Sequence, residues 1–157
     1  MCRFKSCIVF RNGDVFHHPG TDSHEDLKRF KGLKDNKQFL RNWVPAEYAP
    51  ENIEDSDNIR KYHLIPDREA PDWWNEIKDI AEKKLKAIVS KVIIKKDTDI
   101  IISGDVVIAP GVTVKKLIMP RVIWCGKDST IQDAGYSTIQ NAWSSTIIKK
   151  NEAKILN

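Results

Sequence analysis

The sequence predicts an α+β chain in two parts: an N-terminal β-hairpin, short strands and a long amphipathic helix over residues 1–96, then a short β-solenoid-like repeat region over residues 97–157. Three observations carry that expectation. Asn12-Gly13 sits between two strand-like runs, a helical apolar stripe runs through "PDWWNEIKDIAEKKLKAIVSKVIIKK", and "STI" recurs at a spacing of eight near the C-terminus.

In chain order, "RFKSCIVF-RNGD-VFHH" reads as a hairpin, because Asn-Gly suits a two-residue turn with positive φ. That turn sets Arg11 against Asp14, Val9 against Phe16 and Cys7 against His18. Asp22 or Ser23, followed by Glu25 and Asp26, then starts a helix that Gly32 stops. "KQFLRNWVPAEY" alternates as a strand, which Pro45 pushes toward a sheet edge. "APENIEDSDN" is an acidic loop, and "IRKYHLIP" a further short strand. In the long helix Pro71 takes the first position and lysines gather at the negative end of the dipole. Trp73, Ile77, Ile80, Ala81, Leu85, Ile88 and Val92 form its stripe. Beyond Asp97 helix signals vanish and β-branched residues dominate.

Ser129-Thr130-Ile131, Ser137-Thr138-Ile139 and Ser145-Thr146-Ile147 are the repeat, and Ile155 continues its isoleucine column. Eight residues span only roughly 26 Å, too little to close a filled solenoid turn, so a turn needs two or three octads. Isoleucines would then stack into an apolar column. A meander of short antiparallel strands is the alternative.

At 157 residues the chain has room for one substantial core, or a compact domain with a smaller appendage. No apolar run approaches the roughly 18 residues of a membrane span, which points to a soluble protein without a membrane partner. No secretory leader is read at the N-terminus. Three cysteines, an odd number without framework spacing, suit a reducing compartment, and the cytoplasm of a cell or an infected host is the expected location. Net charge is only +4, which argues against generic nucleic-acid coating. An acidic segment over residues 47–82 nevertheless runs into six lysines without an acid over residues 83–96, and these form a local anion-facing stripe or a plain solvated helix face.

Candidate binding residues follow from these patterns. Trp73, Trp74 and Trp43 are aromatic anchors, and Lys83, Lys84, Lys86 and Lys91 are the phosphate-facing cations, with ordinary packing and solvation as the competing readings. For catalysis, Cys2 offers a thiol beside an α-amine after methionine removal, and Cys7 faces His18 as a thiol-imidazole pair. His17 or His24 beside that pair falls short of compact metal-ligand spacing, so neither a metal nor a cofactor is expected. No phosphate loop or nucleophile elbow is present.

Two local likenesses stop short. The opening resembles the abasic-site-crosslinking family that begins Met-Cys-Gly-Arg, but Arg3 stands where that family has glycine. "GDVVIAPGVTV" resembles one coil of the hexapeptide left-handed β-helix of acyltransferases. No histidine follows His63, so transferase chemistry is not carried over.

Across most of the chain, "MCRFKS", "DSHEDL", "PDWW" and the Ser-Thr-Ile-Gln-x-Ala-Gly units together resemble a group of bacteriophage, prophage and gut mobile-element proteins. That resemblance implies a viral or mobile-element origin and brings no catalytic residues. Trp143 and "STIIKKNE" depart from the group's tail pattern. The function expected is a non-enzymatic binding protein acting on a host protein complex or a nucleotide or nucleic acid, as an inhibitor of a defence complex or a trap for a nucleotide signal. The alternatives are a cysteine-dependent enzyme and an oligomeric assembly protein that self-associates through its repeats.

Overall fold

The computed structural model describes residues 5–35, 39–142 and 144–156. The chain divides into two compact units, Met1–Glu51 with Arg60–Val89, and Asn52–Ile59 with Ser90–Asn157.

The first unit is an antiparallel sheet with helices. Its strands are β1 (Ser6–Phe10), β2 (Val15–Phe16), β3 (Trp43–Pro50) and β4 (Tyr62–Pro66), in the order β2-β1-β3-β4. The hairpin forms, but in a different register from the one a two-residue turn requires: Ile8 pairs with Phe16 and Val9 with Val15. Phe10 and Asp14 close a three-residue loop, and Gly13 takes the left-handed conformation at φ 78°. Gly13 therefore serves as the left-handed residue of a bulged loop, and the extra residue shifts every pairing by one. Cys7 consequently does not pair with His18.

Pro45 does not place its strand at an edge, since β3 lies between β1 and β4. It is accommodated where pairing with β4 begins, at Ala46 opposite Pro66. The strand is also shorter than expected, because residues Phe39–Asn42 form a one-turn helix, α2, before it. Helix α1 (His24–Lys31) begins at Ser23, whose hydroxyl accepts from the Asp26 amide, and ends at Gly32, at φ 64°.

Helix α3 covers Trp74–Val89, shorter at both ends than the run from Pro71 to Lys96. Its buried residues are Trp74, Ile77, Ala81, Leu85 and Val89. Ile80 is half exposed and lies against Gly13, and Val92 lies outside the helix. Glu82 accepts from the Leu64 amide at 2.8 Å, and the Lys84 ammonium donates to the Gly13 carbonyl and reaches Asp14 at 2.8 Å. Ile8, Leu27 and Trp43 form a buried cluster, each aliphatic chain contributing about 1.5–3 kcal/mol by leaving water.

The second unit carries a parallel β-solenoid of about four turns over residues 93–155. Its strands are β5 (Ile93–Ile94), β6 (Thr98–Ile108), β7 (Thr113–Cys125), β8 (Thr130–Asp133), β9 (Thr138–Ile139), β10 (Thr146–Lys149) and β11 (Lys154–Ile155). Ile93 and Ile94, expected in the helix, pair with Val107 and Ile108 instead. β-branched residues at these positions stack well on a parallel neighbour, and this outweighs continuation of the helix.

Among the described residues every strand pair of this unit is parallel, where the meander would need antiparallel pairs. Val114 pairs with Ile131 and Ile131 with Ile147, so one turn takes sixteen or seventeen residues, or two octads. Val122, Ile139 and Ile155 form the other column. Successive octads therefore lie on different strands of one turn, and only alternate isoleucines stack.

Each octad position has one physical task. Ser129 and Ser137 donate their hydroxyls to the carbonyls of Gly126 and Ala134, each at 2.6 Å, and Ser145 donates likewise to Ala142. Their amides close the same corners, and Ala153 repeats the amide bond without a hydroxyl. Ile131 and Ile139 are fully buried, whereas Ile147 and Ile155 on the last turn are partly exposed. Strand alternation turns Thr130 and Thr146 away from that interior. Asp105 and Arg121, paired across β6 and β7, make a two-pronged ion pair at 2.8 Å with Asp105 almost wholly buried.

Candidate functional site

The start of α3 is where charge and an aromatic ring meet a concavity. A half-open cavity of about 490 Å³ is lined by Arg11, Arg41, Glu69, Ala70, Pro71, Asp72, Trp73 and Glu76. Local folding explains how residues so far apart in sequence converge. Arg11 opens the bulged hairpin loop, and its amide donates to the Asn42 carbonyl at 2.9 Å, which ties that loop to α2 and hence to Arg41. The segment after β4 delivers Glu69 through Trp73, and the Trp74 amide closes a turn onto the Pro71 carbonyl.

Arg11 and Arg41 are exposed, as are Glu69, Asp72 and Glu76, while Trp73 is buried at 6%. Two arginines and three acidic residues thus line one cavity together with Trp73. Guanidinium forks suit phosphate or carboxylate, and the carboxylates accept from amino or hydroxyl groups.

Of the tryptophans expected as anchors, Trp73 alone lines this cavity. Trp43 belongs to the buried cluster with Ile8 and Leu27, and Trp74 is buried on α3. Trp73, the residue before α3, and Trp74, its first residue, are both buried, and of the two only Trp73 borders the cavity. Lys83, Lys86 and Lys91 are exposed. Lys84 is committed to Gly13 and Asp14, an attachment within the fold, and through it the Asp14 carboxyl is held below its ordinary value. The lysine run therefore does not act as one uniform stripe.

The expected thiol chemistry meets a different arrangement. Cys2 lies outside the described residues. Cys7 is fully buried, its thiol donates to the Ala46 carbonyl at 3.3 Å, and desolvation pushes its pKa strongly upward. His18 turns its Nδ1 to the Gly20 amide at 3.1 Å and packs on Phe30 at 4.9 Å. The histidine that shares an acceptor with Cys7 is His24, whose Nε2 lies 3.1 Å from the same Ala46 carbonyl. Cys125 is also buried and its pKa raised, with its sulfur 3.0 Å from the Ser129 hydroxyl. A protonated thiol enclosed by protein is a poor nucleophile.

Arg11, Arg41, Glu69, Asp72 and Glu76 were not singled out from sequence. The one local signal was "REAPDWWNE", where a helix start, an aromatic pair and alternating charge coincide. Nothing in sequence links it to a hairpin tip.

Fold and cavity together define an α+β protein with a β-solenoid and a charged, small-molecule-sized cleft. No protein-family model, curated protein or solved structure matches the chain. Among the described residues no helix is long and apolar enough to cross a membrane.

Proposed function

We propose that this protein is a non-enzymatic binding protein of phage or mobile-element type whose α+β unit captures a nucleotide-class ligand in the cleft at the start of α3. The observation that carries the reading is the pairing of Arg11 and Arg41 with Trp73 and the carboxylates around one cavity of about 490 Å³. That volume lies within the range of small-ligand sites. The guanidinium groups would take the phosphate, the carboxylates the ribose hydroxyls or base amino groups, and Trp73 the apolar wall. Removing such a signal from a bacterial defence complex is the biological use that fits the resemblance to phage proteins. Burial of Cys7 and Cys125, which raises the pKa of both thiols, counts against either as a nucleophile.

Calorimetric titration with a panel of linear and cyclic mono- and dinucleotides tests it. One member binds, and Arg11→Ala or Arg41→Ala each weakens it about tenfold, as loss of a charged hydrogen bond entails. If the whole panel fails to bind at millimolar concentration, the reading is wrong.

A second reading concerns the solenoid, where pairing between copies is favoured by one observation. Among the described residues β10 and β11 pair on one side only, with β8 and β9. Ile148 is 67% and Leu156 41% exposed on this last turn. A second copy could pair with these edges. Light scattering would then show a dimer that Ile148→Lys converts to monomer.

A further inference from the structure

Elsewhere in the α+β unit, three groups that sequence spacing keeps apart converge. His24 is the first residue of α1, Glu47 lies on β3, and Asp67 directly follows β4. One donor atom from each lies within 4.8 Å of the others. The order β1-β3-β4 makes the convergence, and the Asp67 amide donating to the Pro45 carbonyl at 2.9 Å holds the end of β4 beside β3.

His24 carries the argument. Its side chain is 8% exposed and its two ring nitrogens have different surroundings. Nε2 lies 3.1 Å from the Ala46 carbonyl, which only accepts, so Nε2 must carry hydrogen. In the neutral ring this leaves the Nδ1 lone pair toward Asp67 Oδ2, which is only 2.7 Å away. Two acceptors that close require a cation between them, either a proton or a metal ion. A ring whose second nitrogen donates to a backbone carbonyl is also the usual outer-shell arrangement of a metal-bound histidine.

We propose that His24 Nδ1, Asp67 and Glu47 form a binding site for a divalent transition-metal ion of the zinc class. One imidazole and two carboxylates suit zinc, with cobalt as a spectroscopic substitute, better than the all-oxygen sets of magnesium or calcium. Around tetrahedral zinc the donors stand roughly 3.3 Å apart, given metal-ligand distances of about 2.0–2.2 Å. His24 and Asp67 need only open slightly from 2.7 Å, and Glu47 needs to draw in from within 4.8 Å. Asp67, at 42% side-chain exposure, has room to adjust and gives a route from solvent. Three protein ligands leave the fourth position to water. Cys7 is not a ligand, because its thiol donates to the Ala46 carbonyl. The neighbouring ammonium of Lys5 is held by the His18 carbonyl at 2.8 Å and by Asp22 at 3.4 Å.

Titration of the full-length chain with zinc chloride, in a Cys2→Ser background that removes an adventitious thiol ligand, tests the site. One zinc ion binds per chain, and cobalt gives the visible absorption of a tetrahedral centre. Asp67→Asn and Glu47→Gln each weaken zinc about tenfold or more, while far-UV circular dichroism stays unchanged. Replacing His17 and His18 by alanine leaves affinity unaltered. His24→Asn abolishes binding, but the two carboxylate variants carry the test if that buried substitution unfolds the unit. Absence of zinc binding at about 100 μM would overturn the proposal. Binding that survives in both carboxylate variants overturns it equally.

Discussion

The α+β unit and the solenoid solve the problem of burying apolar surface in opposite ways. In the solenoid the octad residues repeat their tasks along the chain: Ser129, Ser137 and Ser145 each close a corner, and Ile131 and Ile139 each enter an apolar column. In the α+β unit no task repeats. Ile8, Leu27 and Trp43 meet from β1, α1 and β3, and each contact is made once. The difference separates chemistry from scaffolding. Periodic residues are occupied in one another's packing, whereas the irregular unit brings unlike groups together, at the arginine-lined cleft and around His24.

Substitutions should show that contrast, the largest effect coming from the solenoid interior. Ile131→Ala, at a fully buried position, is expected to destabilise by about 2–5 kcal/mol in urea unfolding. Ile147→Ala, one turn later in the same column and partly exposed, should lose only about 1 kcal/mol. Equal losses would contradict an open last turn.

Gly135→Ala should come next, at about 1–3 kcal/mol by thermal or urea unfolding, because φ is 51° there. An added Cβ would also meet the Leu117 carbonyl at 2.2 Å. In the other unit, Arg11→Ala should weaken ligand binding while changing stability by less than about 0.5 kcal/mol, since its side chain is exposed.

The thiols give a smaller, pH-dependent signal. Burial raises the pKa of Cys7 and Cys125 above the ordinary 9.0, so the folded chain keeps protons that the unfolded chain releases. Their contribution is fully present below pH 9 and declines as pH rises above it, which unfolding across pH 8–10 would detect. Native Cys7 should also resist iodoacetamide at pH 8 and react after denaturation.

The same contrast explains what was legible in the sequence. The octads announced a solenoid because Ser, Thr and Ile recur with one role each, and the arithmetic of span required more than one octad per turn. What the rhythm did not show was which octads stack, since identical letters occupy two different strands of a turn. Gly13 misled for a local reason: Asn-Gly serves both a two-residue turn and a bulged three-residue loop, and Ile8 opposite Phe16 selects the second. At the end of α3 the lysines and apolar residues continue the helical pattern, but Ile93 and Ile94 gain a parallel partner in β6. Neither cleft nor cluster was readable, because Arg11 with Asp72, or His24 with Asp67, become neighbours only through strand order.

Crosslinking across the repeat tests the two-octad turn most directly. With the native cysteines replaced by serine, Thr130→Cys/Thr146→Cys should form an intramolecular disulfide under mild oxidation, because these residues are in register on adjacent parallel strands. Thr130→Cys/Thr138→Cys should not. A disulfide in the second pair and none in the first would mean that consecutive octads lie side by side, contradicting a turn built from two.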